Sequence, residues 1–343
     1  MVRRAMLVAT VGLTASPNRV TDENGDVSSS APSADSGTDQ TALDRRHRSD
    51  ATFLGLQTSG EPGPTGSFRF TVEDRLSRMD ARLYGGTAIA VSIAAAEERT
   101  TRPVLWMTTQ FVSTAAQGAE IGVLAEVLAP GKRTNQVRIT GTDTDGTAVF
   151  ASLGATGHHR EGGLSGEFER MPTVAPPASA DPAGNPFEVM ARAAGIERPD
   201  AADAPAFPRD TGFASVVEMR PADVLDHPDP GPGRICMWLR RKDREAITPA
   251  MAAFMADMVP MSVAAACGAM AGGTSLDNSI RIGTFRETEW ILLDLRPHLA
   301  AGDYGHGSAH IWDEDGHLMA TASQTASMIR FDPAQPPPWS RGR

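Results

Sequence analysis

Residues 248–270, TPAMAAFMADMVPMSVAAACGAM, are apolar on every side of a helix. Thr248 suits an N-cap and Pro249 the first helical position, so the run is set to start as a helix. A helix without a polar face cannot lie on a surface and must be enclosed by the rest of the fold. One residue does not fit. Asp257 shares the i, i+3, i+4, i+7 face of Phe254, Met258 and Met261. A carboxylate placed there loses its hydration, which is costly unless something pairs with it or uses it.

The same order of parts occurs twice along the chain. The first half opens with an extended stretch, SFRFTVED (67–74), and an Ala-rich apolar helix, GGTAIAVSIAAAEE (85–98). Strand-like runs follow: VLWMTTQFVS, EIGVLAEVLA, NQVRITGTDTDG and TAVFASLGA. The second half opens with FASVVEMR and RICMWLRR, continues with the helix of 248–270, and ends in SLDNSIRIGTF, EWILLDLRP, GSAHIWDEDG and HLMATASQTASMI. Asp145-Gly146 and Asp315-Gly316 are hairpin signals at matching places. An apolar helix followed by a meander, twice over, predicts an α+β fold in which two antiparallel sheets each wrap a central helix. Aligning the two Asp-Gly turns places Asp257 on Thr87, Ser275 on Leu105 and Gln324 on Gly154. Leu105 and Gly154 are not polar, so the first half is expected to complete one site without carrying a second.

The remaining segments are read by composition. Residues 1–66, rich in Ser, Asp, Thr, Gly and Pro, read as a disordered leader, and 67–160 as the first unit. Residues 161–210, around PTVAPPASADPAGNP, read as a linker, 211–332 as the second unit, and 333–343 as a tail. The start MVRRAMLVATVGLTASP imitates a short signal peptide, but its apolar run is short and broken by Thr and Gly; the expectation is a cytoplasmic protein. With 32 basic against 42 acidic residues, net −10, the chain lacks the charge of a nucleic-acid binder. No stretch has the length of a membrane span. Cys236 and Cys267 are too few for a disulfide framework or metal cluster, and Cys267, in VAAACGAMA, reads as a small core residue.

Taken together, these parts resemble the acyl-CoA thioesterase II family, the double-hotdog thioesterases, over roughly 67–160 and 211–331. That family uses an Asp in the second hotdog helix, a Ser or Thr two positions before the Asp of a [ST]-[LI]-D-x-S strand, and a Gln near the end of the last strand. In this sequence these positions are Asp257, Ser275 within SLDNS, and Gln324 within ATASQTAS. LYGGTAIA, with Gly85 and Gly86, resembles the F-G-G segment that opens the family's first hotdog helix. The strand after SLDNS reads IRIGTFRETEW, without the family's aromatic-His-Arg-Pro run.

The resemblance implies hydrolysis of an acyl-CoA to free acid and CoA, with no metal or redox cofactor and a homo-oligomeric assembly. Asp257 would accept a proton from water or attack the carbonyl itself, its basicity raised by apolar surroundings. Ser275 and Gln324 supply a hydroxyl and a neutral amide able to hold a water beside it. Asp277 shares a strand face with Ser275 by alternation and is expected to line the site or orient that serine. The Gly86 N–H, at a helix start, is a candidate oxyanion donor, and a bulky residue there is expected to cut turnover while sparing the fold. Arg240, Arg241 and Lys242 read as a solvated charge run, or as contacts for coenzyme A phosphates. The rival readings are a non-catalytic acyl-CoA-binding hotdog, or a hotdog dehydratase or hydratase, whose His/Asp pair has no counterpart in this helix.

Overall fold

A computed structural model of the chain describes residues 36–59, 65–160, 162–181, 186–195, 209–222, 224–225 and 232–331. In the first half, α1 is Ser36–Leu54, and the short β1 (Gln57–Thr58) pairs with β2 (Thr65–Thr71). The apolar helix α2 (Gly85–Thr100) precedes β3 (Val104–Phe111), β4 (Glu120–Ala129), β5 (Thr134–Thr142) and β6 (Ala148–Gly157). The second half adds α3 (Pro186–Ala193), β7 (Val217–Ala222), β8 (Ile235–Arg241), α4 (Pro249–Met255) and α5 (Val259–Ala266). It closes with β9 (Ala271–Ile282), β10 (Ile291–Ala301), β11 (Tyr304–Trp312) and β12 (Leu318–Arg330).

The two expected antiparallel sheets are joined edge to edge. All twelve strands form one sheet in the order β1-β2-β4-β5-β6-β3-β9-β12-β11-β10-β8-β7. The seam is the antiparallel pair β3–β9, where Thr108 faces Ser279 and Thr109 faces Asn278. Each half curves about its own helix: α2 touches β2, β3, β4, β5 and β6, and α5 touches β9 to β12. Every residue of α2 from Gly86 to Glu97 is buried, as an all-round apolar helix requires. The run Pro249–Ala266 is apolar enough by composition to cross a membrane, but 89% of it is buried inside this fold.

The duplicated turns are alike in detail. Asp143 Oδ1 accepts from the N–H groups of Asp145 and Thr147, and Asp313 Oδ1 from those of Asp315 and His317. Gly146 and Gly316 end the turns with φ of 79° and 88°, values that favour glycine.

Three sequence expectations change. Residues 36–54, taken as part of a disordered leader, are helical, and α1 packs against α2. Leu43, His47, Asp50 and Leu54 recur at helical spacing and are all buried, a pattern hidden among Ser and Asp. Asp50 accepts from the Thr248 hydroxyl at 2.7 Å, and burial pushes its carboxyl up to about 7. The leader before residue 36 and the tail from 332 lie outside the described residues. Part of the Pro/Ala-rich linker packs on the outer face of the second half-sheet. There Val174 and Ala180 meet Trp238, Trp290 and Trp312, and Ala175 O accepts from Trp238 Nε1 at 2.8 Å. Cys267 caps the end of α5 and is exposed, whereas Cys236 is buried.

Candidate active site

The helix read as continuous over 248–270 breaks at Asp257. Thr248 caps α4 by accepting from Met251 N–H at 3.1 Å, with Pro249 in the first turn as expected. The break follows from Pro260, which has no N–H to donate and whose ring crowds the carbonyl one turn back. α4 is capped at Ala256, Met258 leaves helical geometry, and α5 restarts at Val259. The Asp257 carbonyl oxygen freed by the break accepts from Tyr84 Oη at 3.2 Å, so the start of α2 holds the break in place.

The carboxylate projects between β9, β12 and the first turn of α2. Its Oδ1 accepts from Gln324 Nε2 at 2.5 Å, Asn278 Nδ2 at 3.1 Å and Ser275 Oγ at 3.4 Å. Gln324 Nε2 also lies 2.6 Å from Ser275 Oγ, tying the two together. The backbone N–H of Gly86 also favours the charged carboxylate. Asp257, Ser275 and Gln324, assembled here from three elements, are thus mutually bonded.

Strict strand alternation would point Asn278 away from Ser275. A β-bulge reverses that parity. Thr325 and Ala326 of β12 face Asp277 and Ser275, so Leu276 is the extra residue. With the bulge, Ser275 and Asn278 both face Asp257. Asp277 is not among the partners of Asp257: its Oδ1 accepts from Thr325 N–H at 2.9 Å and secures the pairing beside the bulge.

Gly85 and Gly86 meet Asp257 from the other half. A Cβ on Gly85 would lie 2.5 Å from Asp257 Oδ2 and 3.1 Å from Phe111 Cζ, so only glycine lets the start of α2 come this close to that oxygen. A Cβ on Gly86 would overlap the Phe254 carbonyl oxygen and the Tyr84 ring, because α2 and α4 pack backbone to backbone there. The expectation that a bulky residue at Gly86 spares the fold therefore fails. Burial pushes the Asp257 carboxyl up to about 7, against the hydrogen bonds from Asn278, Gly86 and Ser275 and the charge of Arg78. The same burial, with the Asp257 charge, drives the Tyr84 phenol well above its usual range.

A row of paired residues crosses the seam beneath the helices. Ser152 faces Thr109, Thr109 faces Asn278, and Asn278 faces Gln324. Ser92 of α2 sits over one end, its Oγ 2.8 Å from Ser152 Oγ, which is 2.8 Å from Thr109 Oγ1. Asp257 sits over the other. The first-half counterparts of the Asp257 cluster are therefore Ser92, Thr109 and Ser152, not Thr87, Leu105 and Gly154; the helix break and the bulge shift the alignment. Three hydroxyls hold no base at neutral pH.

Arg240 and Arg241 are neither a solvated run nor free for phosphate. Both are buried, Arg240 paired with Glu218 and Glu289 against Trp290, and Arg241 with Asp243 against Phe53. Among the described residues no group of three His, Cys, Asp or Glu side chains is placed to hold a metal.

Comparison with known proteins follows the same division into halves. The family model of the acyl-CoA thioesterase N-terminal domain matches residues 72–156, and that of the C-terminal domain matches residues 193–328. A structure from Novosphingobium aromaticivorans, described as a candidate thioesterase, is 30% identical with a TM-score of 0.62, over 76% of this chain and 94% of that one. A hot dog protein from Alicyclobacillus acidocaldarius is 19% identical, TM-score 0.64, over 82% and 98%. An acyl-CoA thioesterase II from Mycobacterium marinum is 18% identical, TM-score 0.59, over 84% and 100%; these two show the shared fold. A search of curated protein sequences finds no match.

Proposed function

This chain belongs to the acyl-CoA thioesterase family, and from that premise we propose that it hydrolyses acyl-CoA to a free acid and CoA, with Asp257 as the base that activates water. The observation that carries this reading is a buried carboxylate whose Oδ1 accepts from Gln324, Asn278 and Ser275 while its Oδ2 lies against Gly85 at the start of α2, with burial pushing the carboxyl up to about 7. A base near the working pH accepts a proton without being too weak to take it.

The thioester carbon sits over the first turn of α2, with the water between it and Asp257 Oδ2. As Oδ2 takes one proton, the oxygen of the water bonds to the carbonyl carbon and the carbonyl oxygen becomes an oxyanion. The positive end of α2 stabilises that charge, and the carbonyl oxygen accepts from the Gly86 N–H. The C–S bond then breaks, and the proton held by Asp257 leaves with the products. A thiolate is a good leaving group, so no further acid is required. Ser275 and Gln324 keep the carboxylate in one orientation. Histidine is absent from the hydrogen-bond partners of Asp257 among the described residues, which weighs against hydration or dehydration chemistry.

The test is release of free CoA thiol from a panel of acyl-CoA esters, followed by one turnover in 18O-water. Label in the acid product with none on Asp257 supports attack by water; label on Asp257 would mean attack by the carboxylate. No thiol release from any ester would overturn the reading.

A further inference from the structure

We propose that Asn278 is a positioning residue for this hydrolysis, holding Asp257 Oδ1 so that Oδ2 alone is presented to the water; the inference rests on the reading above. Without the extra residue Leu276, Asn278 would turn from the helices, and β9 would offer Asp257 only Ser275. With it, β9 offers two donors to one oxygen, and that of Asn278 is nearer, at 3.1 Å against 3.4 Å.

Asn278 is also firmly held. It is 1% exposed, and its backbone pairs on one side with Gln324 and on the other with Thr109, across the seam. Ser275 and Gln324 bond to each other, so either of them has an alternative partner when Asp257 protonates. For the Asn278 amide nitrogen, Asp257 is the hydrogen-bond partner the structure shows. A buried donor that would be orphaned by movement of its acceptor resists that movement.

The position also bears on when the base is charged. From the elements packed around it, Asp257 is faced by Arg78 in the loop before α2, by Tyr84 at the start of α2, and by the neutral groups of Gly86, Ser275, Asn278 and Gln324. The hydrogen bond from Asn278, like that from Gln324 to the same oxygen, favours the ionised carboxylate against burial. Removing it favours the protonated acid.

The experiment compares kcat/KM against pH for wild type, Asn278→Leu, Asn278→Ala and Asn278→His. Leucine keeps the shape without the donor, alanine serves if leucine does not fold, and histidine restores a ring N–H at the same branch. The expected result is an acid limb moved up by about one pH unit in the leucine and alanine variants, roughly tenfold slower at pH 6 and little changed at pH 9. Histidine should return the limb toward wild type. A limb that stays in place, whether rates fall evenly or not at all, would overturn the positioning role while leaving the hydrolase reading intact. If the wild type releases no thiol, 13C-NMR titration of the Asp257 carboxyl decides the question. An upward shift in Asn278→Leu sustains the hold on Oδ1, and an unchanged titration removes it.

Discussion

The hydroxyl of Tyr84, at the start of the N-terminal half's helix, donates to the backbone carbonyl oxygen of Asp257 in the C-terminal half at 3.2 Å. The backbone N–H of Gly86, in the first turn of that helix, favours the charged form of the Asp257 carboxylate. Each half thus supplies what the other lacks: one the carboxylate and the side chains that hold it, the other the helix start that faces it. Such a site needs both halves in register, and the seam β3–β9 fixes that register.

The pH dependence of turnover follows from the buried carboxyl. Asp257 acts as a base only when ionised, and burial pushes it up to about 7. We expect kcat/KM to rise about tenfold per pH unit below that value and to level off above it. An acid limb near the ordinary aspartate range of about 4 would show that another group sets the rate.

The two glycines separate function from folding. Gly85→Ala puts a methyl beside Oδ2, so turnover should fall at least tenfold or so with melting temperature little changed. Gly86→Ala forces its methyl into the Phe254 carbonyl, and should cost about 1–3 kcal/mol of stability. Thermal melts with thiol-release assays on both variants check this; equal behaviour would contradict the packing described.

Asp50 controls stability without touching the chemistry. Its carboxyl is pushed up to about 7 by burial, opposed chiefly by the Thr248 hydroxyl. The unfolded chain titrates near 4, so the native state binds the extra proton between those values. Asp50 therefore contributes stability that is present below about pH 4 and lost as pH rises through about 7. Asp50→Asn should melt a few degrees higher than wild type at pH 8 and alike at pH 4. The same melting difference at both pH values would sink the assignment.

Much of this was legible in the sequence because it rests on patterns that burial imposes. The all-round apolar helices, the Thr248-Pro249 start and the matched Asp-Gly turns each announce one element, and their repetition announces the halves. Asp257 stood out as the one charged residue in an apolar helix. What was hidden depended on small backbone irregularities. The bulge at Leu276 exchanges the roles of Asp277 and Asn278, and nothing in SLDNS marks the extra residue. The break before Pro260 was signalled by the proline itself, but its consequence, a carboxylate released toward β12, needs the tertiary fold. The buried stripe of α1 was masked by the polar composition around it.

Asp257→Asn keeps the shape at this position and removes the charge, so thiol release by this variant beside wild type, at matched folding, tests whether Asp257 is the base. The expected result is a loss of roughly a hundredfold or more in kcat. Equal turnover in the two proteins would contradict it and return Asp257 to a structural role in closing the helix break.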